Sequence, residues 1–197
     1  MKAKLVLASA SPRRQELLRQ VGLEFMTMPS SFVEDEGLAG SPAEVAMHNA
    51  LGKAEEVAAK LESGLVLGAD TVVICDNQLL GKPKDRDDAR RMLRLLSGRW
   101  HEVLTAVALV DVSTHCLRQE LVRTRVHMHA LHQDEIEGYL DSGEPFDKAG
   151  SYGIQGLAAQ FIDRIDGCYF NVVGLPLSTI VEMMRSIDQD YTPFVVD

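Results

Sequence analysis

The sequence predicts an α/β fold in which short apolar strands alternate with amphipathic helices. Three observations carry this. Leu5-Val6-Leu7 is an apolar run long enough for a buried strand, and after Ser9-Ala10-Ser11 it passes at once into a helical pattern. Leu65–Cys75, LVLGADTVVIC, is almost wholly apolar, as a strand covered on both faces must be. Between them, Ser41-Pro42-Ala43-Glu44 forms a capping box with proline at the first helical position. No internal repeat, low-complexity tract or linker interrupts residues 1–197, so they read as one α/β unit.

In the first segment, Ser11 is a natural N-cap and Pro12 a natural first helical residue. Leu17, Leu18 and Val21 then face one way until Gly22 ends the helix. A strand, a serine-lined turn and a helix N-terminus in succession make a good anion site, because backbone N–H groups and the positive end of the helix dipole point outward there. Arg13 and Arg14 add two cations in the first turn, where they oppose the dipole. They are either simply solvated or matched to a bound phosphate. The glycines and lysine of a Walker loop are absent, and so is GxGxxG.

Glu24–Met28 reads as a second short strand and Pro29–Gly40 as an acidic loop carrying Glu34, Asp35 and Glu36. That acidity is either a solvated surface or a carboxylate facing magnesium, since a nucleotide enzyme needs hard oxygen ligands. The capping box opens a helix expected to run to about Glu62, with an apolar stripe of Val45, Ala46, Ala50, Ala54, Val57, Ala58 and Leu61. Asn49 and Lys53 sit one turn apart at the edge of that stripe, where a lysine is solvated or reaches into a cleft. Asp70 lies in the middle of the strand Leu65–Cys75. A carboxylate there needs a cation, a metal or a raised pKa, unless it caps a bulge through neighbouring N–H groups. Gly68 just before it permits close approach of other atoms.

Asp76-Asn77-Gln78 reads as a turn, and Leu79-Leu80-Gly81-Lys82-Pro83 returns from it. Asp85 caps a helix to Leu96 with Ala89, Met92, Leu93 and Leu96 inside. Trp100–Val112 and Cys116–Leu131 are two extended segments in a hairpin pattern. His127, His129 and His132 read as an exposed face rather than a metal site, because no carboxylate or cysteine has a partner spacing. Asp134 is the expected cap of a short helix to Ser142. The polar, glycine-rich stretch Gly143–Gly156 has the character of a functional loop. Phe161–Ile165 is an expected strand, Leu175-Pro176 opens the last helix to Ile187, and Asp188–Asp197 reads as a loose tail.

The net charge of −9 argues against nonspecific nucleic-acid binding, so a polyphosphate would need a local basic cluster in an acidic protein. The three cysteines, Cys75, Cys116 and Cys168, form no CxxC pair, which fits a reducing cytoplasm and neither a zinc site nor a disulfide framework. The N-terminal apolar run is too short for a signal peptide, and no stretch approaches the ~18 residues of a membrane span.

Taken together, SASPRR at Ser9–Arg14, GADT at Gly68–Thr71, Gly81-Lys82-Pro83, DKAGSYGIQG at Asp147–Gly156 and VVGLP at Val172–Pro176 resemble the Maf family of nucleotide pyrophosphatases. Each block is weak alone, whereas the ordered set spans nearly the whole chain. The resemblance implies a mixed, elongated sheet flanked by helices, with two lobes around a cleft as in inosine triphosphate pyrophosphatases. It implies hydrolysis of a nucleoside triphosphate to the monophosphate and pyrophosphate with Mg²⁺ or Mn²⁺, in a cytoplasmic homodimer, and a role near cell division or nucleotide-pool cleaning. Asp70 takes the family's place of general base, and a Glu34 and Asp70 pair is a candidate metal site. Ser9, Ser11, Arg14, Lys53 and Lys82 are candidate phosphate ligands. The subgroup acting on dTTP and UTP has SxSPRR, GADT and GIQG, and the one acting on 7-methyl-GTP differs at the positions of Arg13, Thr71 and Gln155. All three match the pyrimidine type here, and the Gln155 amide, both donor and acceptor, suits a uracil or thymine edge. Two rival readings are a nucleotide-binding regulator of division without turnover and a purely structural partner of division proteins.

Overall fold

The computed structural model describes residues 4–35 and 40–187. In chain order the elements are β1 (Leu5–Leu7), α1 (Pro12–Gln20), β2 (Phe25–Thr27), α2 (Pro42–Ala58), β3 (Leu65–Cys75), β4 (Gln78–Leu80), α3 (Arg86–Leu96), β5 (Trp100–Asp111), β6 (Cys116–Met128), α4 (Gln133–Asp141), β7 (Ile162–Asp166), α5 (Tyr169–Val173) and α6 (Leu177–Ile187). Glu36 and the tail Asp188–Asp197 lie outside the described residues.

The strands form one sheet in the order β2-β1-β3-β5-β6-β7, with β4 paired to β3. β1 runs parallel to both β2 and β3, whereas β4 is antiparallel to β3 and β7 to β6, so the sheet is mixed, as expected. Each parallel pairing requires a crossover, and α1 and α2 supply them. β3 is the strand that a continuous apolar run predicts: residues 65–70 are all buried.

The described residues fall into two compact units. The first takes those of Met1–Asp70, Thr105–Val122 and Gly174–Asp197, and the second takes Thr71–Leu104 and Arg123–Val173. Buried apolar side chains of the first include Leu5, Leu7, Leu17, Leu18, Val45, Ala50, Ala54 and Val57. The second packs a core of Val73, Leu80, Met92, Leu93, Leu96, Met128, Tyr139, Leu140 and Phe161. The α3 face expected from sequence, Ala89, Met92, Leu93 and Leu96, is the face it buries.

Two helix boundaries and one short helix differ from the sequence reading, and several strand and helix ends shift by a few residues. α2 ends at Ala58 rather than near Glu62, because the N–H groups of Lys60 and Leu61 bond back only three residues, to Val57 and Ala58, and tighten the chain into a turn. The cap of α4 is His132 rather than Asp134, because the Glu135 carboxylate reaches back to the His132 N–H at 2.7 Å. The short helix α5 went unread, its five residues being too few for a periodic signal. Among the described residues no helix is long and apolar enough to cross a membrane.

Candidate active site

The first unit holds seven of the singled-out residues: Ser9, Ser11, Arg13, Arg14, Glu34, Lys53 and Asp70. At the β1–α1 junction Ser11 is the N-cap with Pro12 behind it, yet the Ser11 hydroxyl makes no cap bond. The Ser9 hydroxyl instead accepts the Ser11 N–H at 3.2 Å and an Arg14 N–H at 3.2 Å. Arg14 also donates to the carbonyls of Ala69 at 3.0 Å and Gly174 at 2.9 Å. Its guanidinium therefore joins the turn, the strand residue before Asp70 and the start of the C-terminal segment. Burial lowers the Arg14 pKa; Asp70 and Glu34 pull it back up, and Arg13 adds to the lowering. An arginine keeps its charge through such a shift.

Asp70 is 6% exposed, Lys53 8% and Asn49 3%. A buried carboxylate is tolerated only with partners, and Asp70 has one for each oxygen. Lys53 Nζ donates to Oδ1 at 2.7 Å, and Asn49 Nδ2 lies 3.4 Å from Oδ2. The two donors stand four residues apart, hence on one face of α2. α2 can lie this close to β3 because residue 68 is glycine: a Cβ there would overlap the Ala50 carbonyl and come within 2.8 Å of the Ala54 nitrogen.

The Pro29–Asp35 segment runs along the same helix, its contacts passing from Glu56 at one end to Asn49 at the other. The Ser30 and Ser31 hydroxyls donate to Glu56 at 2.8 and 2.9 Å. Lys60, with Ser30 and Ser31, holds the Glu56 carboxyl down to about 2. The Phe32 ring covers Gly52, where a Cβ would come within 2.7 Å of Phe32 Cδ2. Glu34 pairs with Lys53 Nζ at 2.7 Å, and the Asp35 N–H donates to Asn49 Oδ1 at 3.0 Å. A backbone N–H can only donate, so this bond fixes which end of the Asn49 amide faces Asp70: the NH₂ end. One ammonium is thus shared by two carboxylates. Glu34 and Asp70 offer hard oxygens, and Mg²⁺ typically takes only one or two protein carboxylates together with substrate phosphates, so these residues fit a divalent cation. Among the described residues no three His, Cys, Asp or Glu side chains gather into a larger cluster.

The second unit holds Thr71, Lys82 and Gln155. Thr71 follows Asp70 on β3 and is half-buried, whereas Lys82 and Gln155 are exposed. The Gly150 N–H donates to the Gly81 carbonyl at 3.0 Å, joining the Gly81-Lys82-Pro83 turn to the Gly143–Gly156 loop. Gly150 has φ +69°, which favours glycine, and a Cβ there would fit tightly against Val73 at 3.1 Å. His127 bonds Asp163 across β6 and β7 at 2.5 Å, and His127 and His129 are half-buried rather than on an exposed face.

A family model described as Maf-like protein matches residues 4–187. The chain belongs to the Maf family. Curated relatives named dTTP/UTP pyrophosphatase include one from Syntrophomonas wolfei, 49% identical over 90% of this chain and 94% of the relative. One from Symbiobacterium thermophilum is 50% identical over 91% of this chain and 92% of the relative. One from Gloeobacter violaceus is 46% identical over 96% and 98%. A solved structure, the Ham1 protein of Staphylococcus aureus, matches with TM-score 0.44 and 14% identity over 64% of this chain and 71% of that one.

In this Maf protein three motif glycines and Arg14 have structural reasons. Gly68 of GADT admits α2, Gly174 of VVGLP (φ +119°) presents its carbonyl to Arg14, and Gly150 of DKAG fits under Val73. Sequence reasoning placed Asn49 at the edge of the stripe without a role, and missed the contacts of Phe32 and Glu56. Their signal was present but faint: Asn49, Lys53 and Glu56 follow helical spacing, and Gly52 is an unexplained glycine inside the helix.

Proposed function

We propose that this Maf protein hydrolyses dTTP and UTP to the monophosphate and pyrophosphate. The observation that carries the reading is the Asp70 carboxylate, buried in β3 and held on both oxygens by α2, in the unit that also carries the Ser9–Arg14 turn. Asp70 takes a proton from a water as that water bonds to the α-phosphorus. The bond from the α-phosphorus to the bridging oxygen breaks, and pyrophosphate leaves with the electron pair. Arg13, Lys53 and the β1–α1 turn neutralise phosphate charge. Arg14, engaged with two backbone carbonyls, contributes its charge while fixing the turn. Glu34 would hold a divalent cation, which supplies charge stabilisation to the triphosphate.

The pyrimidine preference is supported by Arg13, Thr71 and Gln155, which match the dTTP/UTP pattern, and by the names of the relatives. The test is pyrophosphate release from a panel of nucleoside triphosphates with Mg²⁺ or Mn²⁺. dTTP and UTP should lead it, and Arg13→Trp combined with Gln155→Glu should lower their kcat/KM relative to 7-methyl-GTP. An unchanged ranking in that variant would remove base reading from these positions.

A further inference from the structure

We propose that Tyr139 and Glu144 form a clamp that positions Gln155 as a base-reading residue, and this rests on the pyrimidine reading above. Gln155 sits at the tip of a tight turn, in which the Gly156 N–H donates to the Gly153 carbonyl at 3.1 Å. The backbone amides two residues before and two residues after it are both held by one side-chain pair. The Gly153 N–H donates to the Tyr139 hydroxyl at 3.2 Å, and the Leu157 N–H donates to Glu144 Oε2 at 2.9 Å. The pair is itself closed, because the Tyr139 hydroxyl donates to Glu144 Oε1 at 2.9 Å. Tyr139 is buried in the core of the second unit, with its ring edge-to-face on Phe161 at 5.4 Å. A buried phenol between a donor and a carboxylate keeps its proton: burial and then Glu144 push its pKa up.

The turn is also fitted to the clamp by what it lacks. A Cβ on Gly156 would overlap the Glu144 carboxylate, and one on Gly153 would come within 2.7 Å of Lys148 Cε. Lys148 in turn donates to the Glu144 carbonyl at 2.7 Å. Gly156 of GIQG thus makes room for the carboxylate against the turn, and Gly153 makes room for Lys148. The exposed side chain of Gln155 contributes nothing to this packing. A rigid turn that presents one exposed amide is the arrangement base reading needs, since a mobile amide would lose much of its selectivity to ordering entropy.

The test uses Tyr139→Phe, which removes one hydroxyl and keeps the ring, and Glu144→Gln, which keeps shape and removes the charge. Two readouts are taken on the full chain. Amide hydrogen exchange should show Gly153 losing protection at least tenfold in Tyr139→Phe, and Leu157 in Glu144→Gln. In Tyr139→Phe, kcat/KM for dTTP and UTP should fall about tenfold while that for a purine triphosphate changes less than twofold. Unchanged protection of both amides overturns the clamp. Lost protection with an unchanged substrate ranking overturns its positioning role, since the turn would then have no part in base choice. A wild-type protein that hydrolyses no pyrimidine triphosphate overturns the pyrimidine reading instead, while the exchange data still read the clamp.

Discussion

Lys53 is the most informative residue to remove. Its ammonium lies 2.7 Å from Glu34 Oε1 and 2.7 Å from Asp70 Oδ1. The two carboxylates are not equal: the Glu34 side chain is 41% exposed and the Asp70 side chain 9%. In Lys53→Met, Glu34 can rehydrate, so its loss is worth under about 1 kcal/mol, as for surface pairs. Asp70 has no such escape, and stranding a buried charge costs about 3–5 kcal/mol. The Asn49 amide remains on Oδ2, which places the expected loss near the lower end, about 3 kcal/mol. For a chain of this size each kcal/mol moves Tm by about 2–4 °C, so the melt should fall by roughly 6–12 °C. The assay is urea unfolding followed by circular dichroism, run as a double-mutant cycle with Asp70→Asn. If the penalty is the stranded carboxylate, the double variant should recover most of the loss. A Lys53→Met protein within about 0.5 kcal/mol of wild type, or a double variant destabilised by the sum of the two singles, would refute this account of how Asp70 is held.

Two other predictions test the surrounding structure. Gly68→Ala should destabilise by about 2 kcal/mol or more and lower turnover, because the added methyl forces α2, with Lys53 and Asn49, off β3; a thermal melt and an activity assay check both. His101, buried and bonded through Nε2 to the Tyr152 hydroxyl at 2.6 Å, has its pKa pushed by burial from 6.5 down to about 4. Between those two values the unfolded chain binds the proton that the folded chain refuses, so stability rises with pH through that window and is lost on acidification. A lowering from 6.5 to about 4 corresponds to roughly 3 kcal/mol. Unfolding free energies at pH 4.5, 5.5 and 6.5 should show a shallower slope in His101→Phe than in wild type, and parallel slopes would refute the assignment.

Much of the fold was legible because strong local signals agreed with the tertiary outcome. The continuous apolar run of β3, the Ser41–Glu44 capping box and the inner face of α3 each have a local cause that the packed protein retains. Helix ends were less legible, since the stop at Ala58 and the cap at His132 depend on which amide finds which acceptor. At the site, a carboxylate inside an apolar strand announced that it needed partners, and Gly68 announced a close approach. Which partners arrive was not legible. That Lys53 and Asn49 each take one oxygen of Asp70 follows from the distance between α2 and β3, and the Tyr139–Glu144 clamp follows from how α4 packs beside the Gly143–Gly156 loop. The links among Lys53, Glu34 and Asp70, and between Glu144 and Leu157, join residues too far apart in sequence to leave a periodic trace.

The decisive measurement is pyrophosphate release from dTTP by Asp70→Asn, alongside dTTP binding by calorimetry. Replacing the carboxylate by its amide keeps the shape between Lys53 and Asn49 and removes the proton acceptor. Release should fall at least a thousandfold while nucleotide binding persists within about tenfold, the pattern of a lost chemical step. Turnover within tenfold of wild type would contradict the assignment of Asp70 as the base.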